Sequence, residues 1–306
     1  METPQNDHIN YNGSWERRGR SPVAAVIAGL IGIGIIYSYG QTFLVTIAVL
    51  AQGTAEHAAD HAENSFAWLA HQSEHTKNPI RISLLISQYL LMLLPTIWLV
   101  RKWHTVDVRK YIRFRGAPLA STLLAIIATF FFFPANVYIS GFFIDALRVP
   151  QELIEINHIF VTASNGGELL LLIVVIGITP ALCEEVFFRG YAQRTFERKI
   201  GWKSILVAGF IFGLYHMQPL GLISLSGLGI LFGYLYYESR SLLPCMAAHF
   251  TNNVLAVMLF ASPEAIGNII VDQDAFTFGM MMASLPLAIA SLYLFRMSVR
   301  SFKQHP

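Results

Sequence analysis

The chain has 306 residues, 54% of them hydrophobic and only 13% charged, with a formal net charge of +2 and a mean hydropathy of +0.51. An average soluble domain carries roughly a quarter charged residues, so cytosolic enzymes, disordered chains and nucleic-acid modules are excluded, and the small net charge adds no polyanion signal. Two cysteines, Cys183 and Cys245, lie inside apolar runs, which excludes a disulfide-stapled scaffold and a multi-cysteine metal cluster.

A membrane-crossing helix needs about 20 mostly apolar residues. Eight runs read as candidates in chain order: 23–50, 80–100, 118–139, 169–188, 205–217, 221–237, 243–261 and 276–295. The first follows a polar tail and is longer than a signal-peptide core, so it reads as a retained span. The loop after it holds His57, Asp60, His61 and Glu63. Its histidines have the i, i+4 spacing that can grip a metal, but a polar, Ala-rich external helix explains them without a ligand. The fifth and sixth runs are short and separated by Gln218, Pro219 and Leu220, which equally suits a helical hairpin partly sunk in the bundle. Within the sixth, Ser224 and Ser226 lack a nucleophile motif, and Gly229 with Gly233 reads as a helix-packing pair.

Eight spans with both termini on one side collect all basic residues on that side except Lys77, Arg81 and Arg148. The opposite loops hold acids such as Glu56, Glu152, Glu155, Asp272 and Asp274. This asymmetry makes the termini cytoplasmic. The expected fold is an all-α, polytopic bundle of about eight transmembrane helices. It divides into a cytoplasmic tail (1–22), three spans with external loops (23–167), a core of four helices (168–262), and a last span with a cytoplasmic tail (263–306).

Ionisable residues inside spans are costly and must face a cavity or a partner. The fourth run ends in Glu184, Glu185 and Arg189, the fifth in Phe212 and His216, and the seventh carries His249 and Asn253. Successive residues differ by about 100° around a helix, so the two glutamates face different ways. Glu185 stands four before Arg189, the favourable order for an ion pair. Glu184 shares its face with Gly177, Pro180 and Ala181, which leave room for a neighbour or a water, and Pro180 can free a carbonyl. Glu184 is therefore the candidate for chemistry and Glu185 for orientation. Interhelical glue is the plainer reading of any one such residue, but the whole set exceeds what packing requires.

A carboxylate beside a histidine can take a proton from water, and histidine with asparagine can donate to a developing oxyanion, which is the chemistry of acyl-bond hydrolysis. The chain has no His-Glu-x-x-His zinc helix and no Gly-x-Ser-x-Gly turn. Cys245, one turn before His249, lacks an evident orienting partner for a nucleophile. One estimate constrains the grouping. If the fifth helix starts near Lys203, His216 lies about 20 Å along it, whereas His249 lies about 10 Å into the seventh. The fifth helix must be tilted or enter late, or the segment from Arg194 to Lys203 must rise above the membrane surface; otherwise the grouping fails.

At these residues the sequence resembles the CPBP family of intramembrane proteases, which includes the CAAX prenyl endopeptidases and bacterial bacteriocin-processing and immunity proteins. The blocks are Glu184-Glu185-x-x-x-Arg189, Phe212-x-x-x-His216 and His249-x-x-x-Asn253, in order on successive helices. The resemblance implies an intramembrane endopeptidase in which Glu184, helped by His216, activates water. It further implies that His249 and Asn253 form the oxyanion site, with Glu185 and Arg189 supporting them. It leaves the metal open: zinc is the cofactor that Glu184, His216 and His249 can hold, yet separate base and oxyanion roles favour a site without an obligatory metal. The implied partners are a peptide or membrane-protein substrate and the lipid bilayer of a bacterial plasma membrane, with no nucleic acid; the oligomeric state is not legible. A non-catalytic helper or transporter-like protein, whose buried charges line a solute or proton path, is the alternative.

Overall fold

The computed structural model describes residues 9–51, 65–148, 161–217, 221–261 and 275–304. His57, Asp60, His61 and Glu63 lie outside the described residues, as does the link 218–220. Among the described residues all regular structure is helical, and six stretches are long and apolar enough to cross a membrane. We number the helices α1 (Pro22–Leu50), α2 (Thr76–His104, the apolar part of a helix that begins at Ser65), α3 (Leu119–Ala146) and α4 (166–200). After them come α5 (Ser204–Tyr215), α6 (Leu222–Ser239), α7 (Leu242–Phe260) and α8 (Ala275–Gln304).

Local chemistry sets the boundaries. Pro22 opens α1, where its missing N–H costs nothing. The Asn165 side chain caps α4 by accepting from the Glu168 amide at 3.0 Å, and Ser241 caps α7 in the same way. Gly201, at φ 56°, ends α4 and turns the chain into α5. The fourth helix is longer than the apolar pattern suggests: it passes residue 188 and continues through Arg194–Ile200. The fifth is short, about 18 Å at 1.5 Å per residue, too little to cross a bilayer of about 30 Å. It packs closely along α6.

In the most apolar 18 residues of the stretch Gly166–Tyr215, which contains α4 and α5, 56% of the residues are buried, against 22–28% in those of α1, α3 and α8. That stretch is the centre, and α1, α3 and α8 turn residues such as Ile31, Phe130 and Ile289 outward, the pattern of a bundle wrapped by lipid. Glycines let the inner helices meet. A Cβ added to Gly229 would stand 2.6 Å from the Gly209 carbonyl, so α5 and α6 touch backbone to backbone. The bared carbonyls on α6 serve α4: Arg189 Nη2 donates to Gly229 O at 3.1 Å, and Gln193 Nε2 to Gly233 O at 2.8 Å.

The helices alternate in direction, and the segment before α1 lies on the same face as the end of α8. There Glu16, before α1, accepts from Arg198 of α4 at 2.5 and 3.0 Å and meets His104 of α2 at 2.6 Å. Burial alone would raise the Glu16 carboxyl, but the hydrogen bonds and charges of His104 and Arg198 outweigh it and hold it at about 2. Arg113 grips Glu197 at 2.8 and 3.0 Å, Arg240 joins the same carboxylate, and Ser298 of α8 meets Ser121 of α3. On the opposite face Lys77 pairs with Glu168 at 3.2 Å, and Arg81 donates to the Thr162 carbonyl. These two cations, expected on the side opposite the termini, are buried on the α2 helix, at 4% and 1% exposure. The α4 cap region supplies the acceptors that make such burial tolerable.

Candidate active site

The Thr179–Glu185 segment of α4 is a short α-helical stretch between two π-helical ones, Ile173–Ile178 and Val186–Gln193. A π-turn widens the helix and changes which residues share a face, and such turns recur at functional sites. Every residue of Val186–Gln193 is buried, so this part of α4 is enclosed on all sides. Pro180 has no N–H, which leaves the Ile176 carbonyl without its helical donor. Asn253 of α7 fills that place: its Nδ2 donates to Ile176 O at 2.7 Å.

The adjacent glutamates part company. Glu185 is wholly buried, and its Oε1 accepts from Arg189 Nη1 and from His249 Nδ1, each at 2.8 Å. The Arg189 guanidinium lies 4.5 Å from the Phe212 ring centre and 5.4 Å from that of Phe232, a dry aromatic setting in which its charge depends on Glu185. His249 stacks on Phe232 at 4.9 Å with 20° between the planes. The Glu185 bond uses Nδ1, so Nε2 is the nitrogen left for the cavity.

Glu184 points the other way. It lines a cavity of about 230 Å³ between α2, α4, α5, α6 and α7, whose polar lining is Gln88, Glu184, His216, His249, Asn252 and Asn253. Gln88 Nε2 donates to Glu184 Oε1 at 3.4 Å, and Glu184 Oε2 has no hydrogen-bond partner among the described residues. His216, at the end of α5, donates from Nδ1 to the Phe212 carbonyl at 2.8 Å. Its Nε2 then carries the lone pair.

The structure thus brings Glu184, His216, His249 and Asn253 to one cavity, with Glu185 and Arg189 behind His249. The mismatch in depth disappears because α4 continues to Ile200 before it turns. The start of α5 is thereby raised, and His216 descends only to the level where the Phe212 ring meets both histidines, at 4.7 and 5.8 Å. Cys245 is buried, its Sγ turned to the Leu242 carbonyl, and it does not line the cavity.

Gln88 and Asn252 were missed by the motif reading. Gln88 is an amide in the α2 span, so the rule that intramembrane polar groups need partners could have found it. Asn252 falls between the i, i+4 positions of His249 and Asn253, where the spacing marks no residue. Among the described residues no three His, Cys, Asp or Glu side chains converge as a metal site. Glu184, His216 and His249 share the cavity but do not close as a ligand set in this arrangement.

These elements are also the ones that comparison picks out. Residues 166–255 match the family described as type II CAAX prenyl endopeptidase, Rce1-like. The match runs from the start of α4 into α7 and contains all three motif blocks. It agrees with the resemblance drawn from those blocks and supports a membrane protease. The Rce1-like segment leaves out α1 to α3 and α8. No curated protein and no solved structure matches the chain.

Proposed function

We propose that the protein is an intramembrane endopeptidase that hydrolyses a peptide bond with water activated by Glu184. The observation that carries this reading is the convergence of Glu184, His216, His249 and Asn253, from three helices of the Rce1-like segment, on one cavity. Glu184 Oε2 takes a proton from water, and the Nε2 lone pair of His216 accepts the second O–H and holds the oxygen toward the substrate carbonyl. As the C–O bond forms, the carbonyl oxygen gains charge and accepts from His249 Nε2–H and from the second Nδ2–H of Asn253. For His249 to donate there while Nδ1–H stays on Glu185, both ring nitrogens carry hydrogen, and the Glu185 carboxylate, shared with Arg189, accepts from the imidazolium. Protonated Glu184 then gives its proton to the leaving nitrogen as the C–N bond breaks. The products are a carboxylic acid and an amine, and the acid passes its remaining proton to the amine, which leaves Glu184 ionised for the next turnover.

The segment's likeness to CAAX endopeptidases supports a peptide or membrane-protein substrate, and it does not require a prenyl group. In this reading the basic face that carries the start of α1 and the end of α8 is cytoplasmic, in the plasma membrane of a bacterium. The experiment is an unbiased comparison of peptide fragments in membranes of cells that carry the wild type or Glu184→Gln. New carboxyl ends present only with the wild type are expected. Identical fragment sets, with flux of a solute or protons lost instead, would favour the transport alternative.

A further inference from the structure

The amides on the cavity wall have a fixed polarity, and Pro180 sets it. The Ile176 carbonyl can only accept, so Asn253 must turn Nδ2 toward it. Asn253 Oδ1 is then the end that meets Asn252, whose Nδ2 donates to it at 3.1 Å. Flipping Asn252 would set two oxygens against each other, and flipping both would set Asn253 Oδ1 against the carbonyl, so the network has one consistent assignment. Asn252 is left with Oδ1 as its unused end. That oxygen is buried and has no hydrogen-bond partner among the described residues, in a side chain 6% exposed that lines the cavity.

Such an oxygen takes an N–H or O–H donor and repels an oxyanion or a carboxylate. An extended peptide drawn out of water brings backbone N–H groups that must find acceptors. We propose that Asn252 is a substrate-binding residue whose Oδ1 accepts a backbone N–H of an extended peptide, at a residue flanking the bond that is cut. This rests on the endopeptidase reading and adds the form of the substrate to it. Neighbouring Asn253 and Asn252 offer a donor and an acceptor side by side, matching the C=O and N–H that an extended chain presents. A helical transmembrane segment has its N–H groups already bonded, so the site takes a stretch that is unwound.

The test uses purified protein in detergent and a fluorogenic peptide spanning the strongest cleavage site from the fragment comparison above. The peptide is also made as a series in which one backbone N–H at a time, outside the scissile bond, is replaced by an ester oxygen. At one position the ester lowers the wild-type kcat/KM about tenfold, the scale of one buried neutral hydrogen bond. Asn252→Ala loses a similar factor on the parent peptide and is indifferent to the ester at that position. A wild type equally fast on every ester overturns the proposal without any variant. So does an Asn252→Ala protein that keeps the wild-type pattern of sensitivity. Absence of any Glu184-dependent cleavage overturns the endopeptidase reading itself, and this inference with it.

Discussion

Glu185→Gln keeps the shape of the side chain and removes its charge, which makes it a direct probe of the buried pair behind His249. Arg189 is fully buried, with Phe188, Phe212 and Phe232 around its guanidinium and the Gly229 carbonyl as its other acceptor. Opposite charges about 4 Å apart attract by about 4 kcal/mol at an effective dielectric of about 20. Stranding one member of a buried pair costs about 3–5 kcal/mol. We therefore expect Glu185→Gln to lower the unfolding free energy by about 3–5 kcal/mol. Adding Arg189→Met should recover most of that loss, because the stranded cation goes with it. The assay is unfolding of the purified protein in mixed micelles as the SDS fraction rises, followed by loss of helicity. Turnover should stay low in the single and the double variant, since neither leaves a carboxylate to accept from a doubly protonated His249. A Glu185→Gln protein that unfolds with the wild type would refute the coupling.

Asn253 is expected to serve both chemistry and packing, since its Nδ2 also satisfies the Ile176 carbonyl. Asn253→Ala should lower kcat by about 10²–10³ with little change in KM, and should cost about 1–3 kcal/mol of stability. Pro180→Ala in that background, which restores an N–H to the helix, should recover stability but not turnover, read by melting and kinetics in parallel. Gly229→Val should separate α5 from α6, because its Cβ would fall 2.6 Å from the Gly209 carbonyl. A loss of about 1–3 kcal/mol is expected from the SDS titration. Thorough chelation should leave cleavage unchanged if Glu184 works without an obligatory metal; complete loss reversed by zinc would contradict that.

The number and direction of the helices were legible because lipid demands long apolar runs and basic residues crowd one face. The end of α4 was not. Glu197 and Arg198 read as part of a polar loop, yet they continue the helix because Arg113, Arg240 and Glu16 from distant segments pair with them. Such pairing is tertiary, and no local pattern announces it. The same limit explains the depth mismatch of His216 and His249, which depended on where α4 turns at Gly201. Helical spacing did separate the faces of Glu184 and Glu185. The π-turn at Val186–Gln193 and the Asn253 bond to the carbonyl freed by Pro180 required coordinates. Gln88 lies on a helix far away in sequence, and only the bundle brings it to Glu184.

The central claim is that Glu184 moves the proton of the attacking water. Its most direct measurement is single-turnover cleavage of one fluorogenic peptide by purified wild type and Glu184→Gln, each melted alongside. The amide cannot accept the proton, so cleavage should fall by about 10²–10⁴ while the melting temperature stays close to that of the wild type. A Glu184→Gln protein that melts normally and cleaves at the ordinary rate would contradict the account.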